Sequence, residues 1–151
     1  SVDAIWIYYG WTGIACQVAG MKADYFEFAD IDPVFDYYTP VIIGNDTFLT
    51  EQSDTAKRFV EALSKGYTYA AEHPKESADI LMEYAPELKA NTALVYASQE
   101  YLAKEYISDA SRWGEFDENR WAGFYNWLNE KKLLEDELDP KFGFTNEYLP
   151  D

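Results

Sequence analysis

Three apolar runs near the start of the chain have the pattern of β-strands. Residues 2–9 are almost continuously apolar, which is typical of a strand buried on both faces. Residues 25–29 alternate between apolar and polar side chains, and residues 37–44 form a third run. Between the first two runs, residues 11–19 predict a short helix that ends at Gly20. This part of the chain therefore predicts three strands and one short helix.

The rest of the chain has the spacing of four amphipathic helices. Apolar side chains recur at intervals of three and four residues in four stretches, and each stretch begins at a residue suited to the start of a helix. Ser53, Asn91 and Asp117 are expected as N-caps, and Pro74 is expected in the first turn of the second helix. We therefore expect an α/β fold, with few strands followed by four helices. Three strands are few for a sheet that carries four helices, so we also expect partner strands in sequence upstream of this chain.

The acidic composition excludes two classes of partner. The chain has 28 Asp and Glu against 12 Lys and Arg, which gives a net charge of −16. Nucleic-acid binding requires Lys and Arg at the phosphates, and docking on anionic lipid also requires basic residues. We expect neither nucleic acid nor a membrane surface as a partner.

The chain offers few residues for catalysis or metal binding. It has one cysteine, Cys16, and one histidine, His73. These counts exclude an intramolecular disulfide, a cysteine-rich metal site and a site with two histidines. Close acidic pairs are expected by chance among so many carboxylates, so we predict no catalytic residue, no metal and no cofactor.

An aromatic cluster is the strongest candidate for ligand binding. Tyr8, Tyr9 and Trp11 surround Gly10, where the first predicted strand meets the short helix. Ligands of α/β proteins bind beyond the carboxyl ends of the strands, where the helix start also offers unpaired N–H groups. Aromatic rings stack on flat ligands. Because neighbouring side chains on a strand point to opposite faces, at least one of the two tyrosines is expected to pack in the core.

Several segments, in the same order, resemble one family of bacterial proteins. They include Trp-Ile-Tyr-Tyr-Gly-Trp-Thr-Gly-Ile at residues 6–14, residues 32–46, the helix pair at 58–88, and residues 98–102, 112–128 and 144–150. The chain resembles the thiamine-precursor solute-binding proteins of ABC importers. These proteins share a type II periplasmic-binding fold with sulfonate and nitrate binders, and the resemblance covers about the C-terminal half of such a protein.

The resemblance implies a partial type II periplasmic-binding fold and a domain organisation. That fold has two α/β lobes that close on a ligand. By resemblance, residues 1–35 are the end of the second lobe and a hinge crossing. Residues 36–151 are then the returning C-terminal part of the first lobe. Because such a fragment exposes apolar surface, we expect it to self-associate.

The resemblance also implies a function. The chain would belong to the substrate-binding component of an ABC transporter, which is not an enzyme and stacks a thiamine pyrimidine precursor on aromatic rings in the cleft between the lobes. By the same resemblance, Tyr8, Tyr9 and Trp11 are expected to face the ligand, and Asn45 is a further candidate for a ligand contact. The implied partners are a small heterocycle and an ABC permease. The implied location is extracytoplasmic, either periplasmic or lipid-anchored at the cell surface, although this chain contains no signal peptide.

Three alternatives stay open. Thr12 and Ala15 stand where that family often has acidic residues, so another small heterocycle or a sulfonate is also an expected ligand. The second alternative is a pyrimidine synthase of thiamine biosynthesis, which resembles the binders but needs a histidine donor and a metal-binding cysteine cluster. The third is an interaction domain without a small ligand.

Overall fold

In the computed structural model, residues 3–150 are described, and helices with irregular connections build this part of the chain. The α-helices are α1 Ile14–Val18, α2 Phe28–Ile31, α3 Asp46–Glu51, α4 Ser53–Glu72, α5 Pro74–Tyr84, α6 Thr92–Glu105 and α7 Glu118–Glu130. A π-helical turn, Tyr9–Gly13, leads directly into α1, and 3-10 turns occur at Pro33–Phe35 and Pro86–Asn91. None of the helices formed by residues 3–150 is both long and apolar enough to cross a lipid bilayer.

The chain divides into two compact units. Unit 1 is the chain up to Asp24 together with Leu63–Trp113, and unit 2 is Tyr25–Ala62 together with the chain from Gly114 onward. The boundary passes through α4. The predicted division into residues 1–35 and 36–151 stays a prediction.

The predicted α/β class is wrong for the described residues, because residues 3–150 contain no β-strand. The runs at residues 2–9 and 37–44 contain irregular segments instead, and the run at 25–29 enters helix α2 at Phe28. The backbone is extended just before the helical turns that follow the three runs or begin within them, at Tyr8, Glu27 and Asn45. A strand is stabilised by hydrogen bonds to a neighbouring strand, and none of these runs has such a neighbour within the described part. Val2, in the first predicted strand, lies outside the described residues.

The four predicted long helices are confirmed as α4 to α7. A carboxylate oxygen of Asp117 accepts a hydrogen bond of 2.8 Å from the backbone N–H of Arg120, which caps the start of α7. Pro74 occupies the first turn of α5, where its missing N–H has no cost. Asn91 precedes α6 as expected, although its side chain makes no capping hydrogen bond.

The predicted end of α1 at Gly20 is also confirmed. The N–H of Gly20 donates to the carbonyl of Gln17 at 3.0 Å, and the N–H of Met21 donates to the carbonyl of Cys16 at 2.9 Å. These two bonds form a Schellman motif, which satisfies the last carbonyl groups of a helix. Gly20 has a φ of 67°, a left-handed conformation that favours glycine.

The core of unit 1 lies between α5 and α6. Ala78, Met82 and Val95 are buried there, and Leu88 and Tyr96 pack against them. Helix α6 also packs against α1 and against the π-helical turn. It is therefore the support on which the N-terminal aromatic segment rests.

Unit 2 is held together by rings and backbone contacts along α7. The ring of Tyr37 stacks on Phe124 with 4.3 Å between the ring centroids. The side-chain amide of Asn146 accepts from the N–H of Phe116 and donates to the carbonyl of the same residue, each at 2.9 Å. These contacts attach the segment around residue 37 to α7, and the C-terminal tail to the residues just before α7.

Candidate functional site

The N-terminal aromatic segment has an exposed side and a packed side. Tyr8 has an extended backbone, and neighbouring side chains of an extended backbone point to opposite sides, which accounts for the exposure pattern at residues 6–9. Trp6 and Tyr8 are 57% and 53% exposed, whereas Ile7 and Tyr9 are partly buried. Trp11, in the π-helical turn, is 40% exposed. We call Trp6, Tyr8 and Trp11 the aromatic group, because these three rings are accessible to a ligand.

Tyr9 is the tyrosine that packs inward. Its ring contacts Tyr101 of α6 with 5.2 Å between the centroids, and the amide of Gln17 donates a hydrogen bond to its hydroxyl. The ring also lies directly against Gly13, where a β-carbon would have no room. Of the two tyrosines singled out from the sequence, Tyr8 is therefore the one with an open ring.

Trp6 and Tyr8 form an edge-to-face pair. Their ring centroids are 4.5 Å apart and the ring planes meet at 69°. This arrangement is favourable because the positive edge of one ring meets the negative face of the other. Sequence reasoning missed Trp6 because it belongs to a run interpreted as buried strand. Its position two residues before Tyr8, on the same side of an extended segment, was the signal that could have identified it.

Helix α6 fixes the backbone beneath the aromatic group. The buried hydroxyl of Ser98 donates a hydrogen bond to the carbonyl oxygen of Gly10. A β-carbon on Gly10 would lie 2.7 Å from Cδ2 of Leu102 and 3.5 Å from Cδ1 of Tyr101. The glycine thus permits a close approach of the turn to the helix, and the serine anchors it there.

Two N–H groups at the start of the turn are used internally. The backbone N–H groups of Trp11 and Thr12 donate to the carbonyl of Tyr8 at 3.2 and 2.9 Å. The expectation that the helix start offers unpaired N–H groups is therefore wrong for these two residues. The aromatic group itself still carries donors, because it includes a phenol hydroxyl and two indole N–H groups.

Asn45 lies in unit 2, whereas Tyr8, Tyr9 and Trp11 lie in unit 1. Its side-chain oxygen accepts hydrogen bonds from the backbone N–H groups of Thr47 at 2.9 Å and Phe48 at 3.3 Å. The structure thus gives Asn45 the role of N-cap of α3. Its role in ligand binding stays a prediction.

His73 marks the junction between α4 and α5. Its ring packs on that of Tyr69 with 4.5 Å between the centroids. A hydrogen bond to the carboxylate of Glu76 raises the pKa of Tyr69, and burial and the negative charge of Glu76 act in the same direction. Within the described part of the chain, no three His, Cys, Asp or Glu side chains form a group that could hold a metal ion.

Comparison with known proteins assigns the family. A model of the family described as NMT1/THI5 like matches residues 1–77, just over half of the chain. The chain belongs to the NMT1/THI5-like family. The family resemblance inferred from the sequence is thereby confirmed, and the matched residues include the whole aromatic group and Asn45.

A curated relative extends the NMT1/THI5-like match beyond residue 77. Over 131 residues, the chain is 25% identical to a protein of Halalkalibacterium halodurans named formylaminopyrimidine-binding protein. The match covers 84% of this chain and 39% of that relative. The chain thus spans well under half the length of the relative that it matches.

Proposed function

We propose that this chain belongs to an extracytoplasmic solute-binding protein of an ABC importer, which captures a thiamine pyrimidine precursor by aromatic stacking. The observation that carries the proposal is the exposure of Tyr8, at the start of the π-helical turn, and of Trp11 within that turn, which is anchored on α6. Family membership supports a solute-binding role. The name of the Halalkalibacterium halodurans relative supports a pyrimidine as the ligand.

The turn that carries Trp11 needs little local reorganisation when a ligand binds. The turn that carries Trp11 is fixed by the bond between Ser98 and Gly10 and by close packing on Leu102. A binding surface that is ordered beforehand loses less conformational entropy when the ligand arrives. The rings of Tyr8 and Trp11 would supply stacking, and the hydroxyl of Tyr8 would orient the ligand through a hydrogen bond.

The local charge favours an uncharged heterocycle over a sulfonate. Residues 4–21 contain no Lys or Arg, and the chain as a whole carries a net charge of −16. A sulfonate is an anion and is bound best by arginine, lysine or free backbone N–H groups. The N–H groups of Trp11 and Thr12 are already bonded to Tyr8. A flat, uncharged pyrimidine is therefore the ligand class that this segment suits best.

Calorimetric titration of the full-length gene product with formylaminopyrimidine tests the proposal. We expect saturable binding by the wild type, and Trp11→Ala should weaken it by about 1–3 kcal/mol, the loss of one buried ring. The control is Tyr84→Ala, which removes an 86% exposed ring from the end of α5 and should leave affinity unchanged. Absence of binding by the wild type would contradict the proposed function. Equal affinity of the wild type and Trp11→Ala would show that Trp11 does not contact the ligand.

A second measurement separates binding from catalysis. A solute-binding protein releases its ligand unchanged, so mass spectrometry after prolonged incubation should recover all the formylaminopyrimidine. Formation of a new pyrimidine product would instead favour an enzyme. Delivery to a permease would appear as uptake of the labelled pyrimidine by cells that carry the gene, and as loss of that uptake when the gene is deleted.

A further inference from the structure

We propose that Trp6 is a further ligand-contacting residue, which forms with Tyr8 a corner that fixes the orientation of a flat heterocycle. The inference rests on the proposed function, because it concerns the same binding surface. Neither the family match nor the name of the relative assigns a role to this tryptophan.

The angle between the two rings determines how a flat ligand can contact them. The planes of Trp6 and Tyr8 meet at 69°, with 4.5 Å between the centroids. A flat ligand cannot lie parallel to both rings at once. A ligand that stacks on one of them meets the other at a steep angle, so that the pair offers one face contact and one edge contact. Both geometries are favourable between aromatic rings.

The corner has a consequence for specificity. A single stacking ring tolerates rotation of the ligand within its plane, because every orientation gives a similar overlap. A second ring at a steep angle touches the perimeter of the ligand, where the substituents lie. The pair therefore selects the position of substituents on an uncharged heterocycle.

The exposure of both rings argues against a purely structural pair. Each of the two residues is more than half exposed. The inward side of the same segment is already packed by Tyr9, which contacts Tyr101. Substitution of Trp6 should therefore cost less stability than substitution of a buried core residue, so that its effect on binding can be measured in a folded protein.

The experiment compares Trp6→Ala, Tyr8→Ala and the double variant in the full-length gene product, with formylaminopyrimidine as the probe in calorimetry. Each single substitution should raise the Kd about tenfold. The double variant should raise it by less than the product of the two effects, because each ring positions the other. Trp6→Leu keeps the apolar bulk but loses the ring, and it should weaken binding as Trp6→Ala does. Tyr84→Ala again serves as the control that removes a remote exposed ring.

The outcomes separate this inference from the proposed function. If the wild type binds, and both Trp6→Leu and Trp6→Ala bind with the same Kd as the wild type, the role of Trp6 is overturned while the proposed function stands. If the wild type does not bind the pyrimidine, the proposed function and the inference fail together. If Trp6→Ala loses its helical circular dichroism, the folded Trp6→Leu variant decides: a raised Kd supports the role of Trp6, and an unchanged Kd overturns it.

Discussion

The hydroxyl of Ser98 donates a hydrogen bond to the carbonyl oxygen of Gly10, although the two residues are 88 positions apart in the sequence. The bond joins α6 to the π-helical turn at the base of the aromatic group. The position of Trp11 therefore depends on a helix encoded much later in the chain, and substitutions beneath the turn should have measurable effects.

Gly10→Ala should destabilise the protein. The added β-carbon would lie 2.7 Å from Cδ2 of Leu102, so either the leucine or the turn has to shift. We expect a loss of about 1–3 kcal/mol in the free energy of unfolding, measured by urea denaturation. The control is Gly66→Ala in α4, where nothing lies within 4 Å of the new carbon. It should gain about 0.5–1 kcal/mol from higher helix propensity. Equal effects of the two substitutions would contradict the close approach at Gly10.

Replacement by alanine should affect the free energy of unfolding differently at two serines of unit 1. Ser98→Ala removes the buried hydrogen bond to the carbonyl of Gly10 and should cost about 1–3 kcal/mol of unfolding free energy. The hydroxyl oxygen of Ser77 in α5 is buried and has no hydrogen-bond partner among the described residues. Ser77→Ala removes this unpaired group and should be neutral or stabilising by about 1 kcal/mol. The pair is compared by urea unfolding under identical conditions, and a larger loss for Ser77→Ala would be the contrary result.

Stability should fall in alkaline solution, partly because of Tyr106. Burial raises the pKa of Tyr106 above its usual value, since a charged phenolate is poorly solvated there. The folded state therefore holds this proton more tightly than the unfolded state. Its contribution is fully present below the unfolded pKa of about 10 and is lost as the pH rises through the higher folded pKa. Urea unfolding at successive pH values should show this decline for the wild type and a shallower one for Tyr106→Phe. Parallel curves would rule out Tyr106 as a cause.

The isolated 151-residue chain should self-associate. Large apolar side chains are exposed along the segments that lack strand partners, among them Ile5 at 70% and Ile43 at 88%. Ile43→Lys should lower the average mass measured by light scattering, because it places a charge in such a segment. Glu51→Lys, an exposed change in α3 with a larger charge difference, is the control and should have a smaller effect. A monomeric wild type at high concentration would contradict this expectation.

Sequence reasoning succeeded where a structure depends on neighbours in the chain. Gly20 ends α1, Pro74 begins α5 and Asp117 caps α7, and each of these signals acts within a few residues. It failed for the strands, because extended backbone becomes a strand only when a second segment pairs with it. The described residues supply no such pairing for the runs at 2–9, 25–29 and 37–44.

The candidate site shows the same limit. The sequence itself shows the cluster of aromatic residues. The alternation of neighbouring side chains between opposite sides correctly predicted that one of the two tyrosines packs inward. That this is Tyr9 depends on Tyr101 in α6, and the anchoring of Gly10 depends on Ser98 in the same helix. Contacts between such distant residues leave no local pattern, so the sequence could not reveal which rings stay open.

The amide of Asn146 in unit 2 hydrogen-bonds to a backbone in the way that a paired strand would. By accepting from the N–H and donating to the carbonyl of Phe116, one side chain satisfies both polar groups of a residue as a neighbouring strand would. Because only the backbone of residue 116 takes part, these two hydrogen bonds would survive a change of the phenyl ring, which is held separately by ring contacts with Tyr38, Trp121 and Phe144. A change of residue 146 would break one or both hydrogen bonds, since an aspartate would lose the donor and a leucine would lose both functions. The two positions are therefore constrained for different reasons, residue 146 by its hydrogen bonds and residue 116 by the packing of its ring.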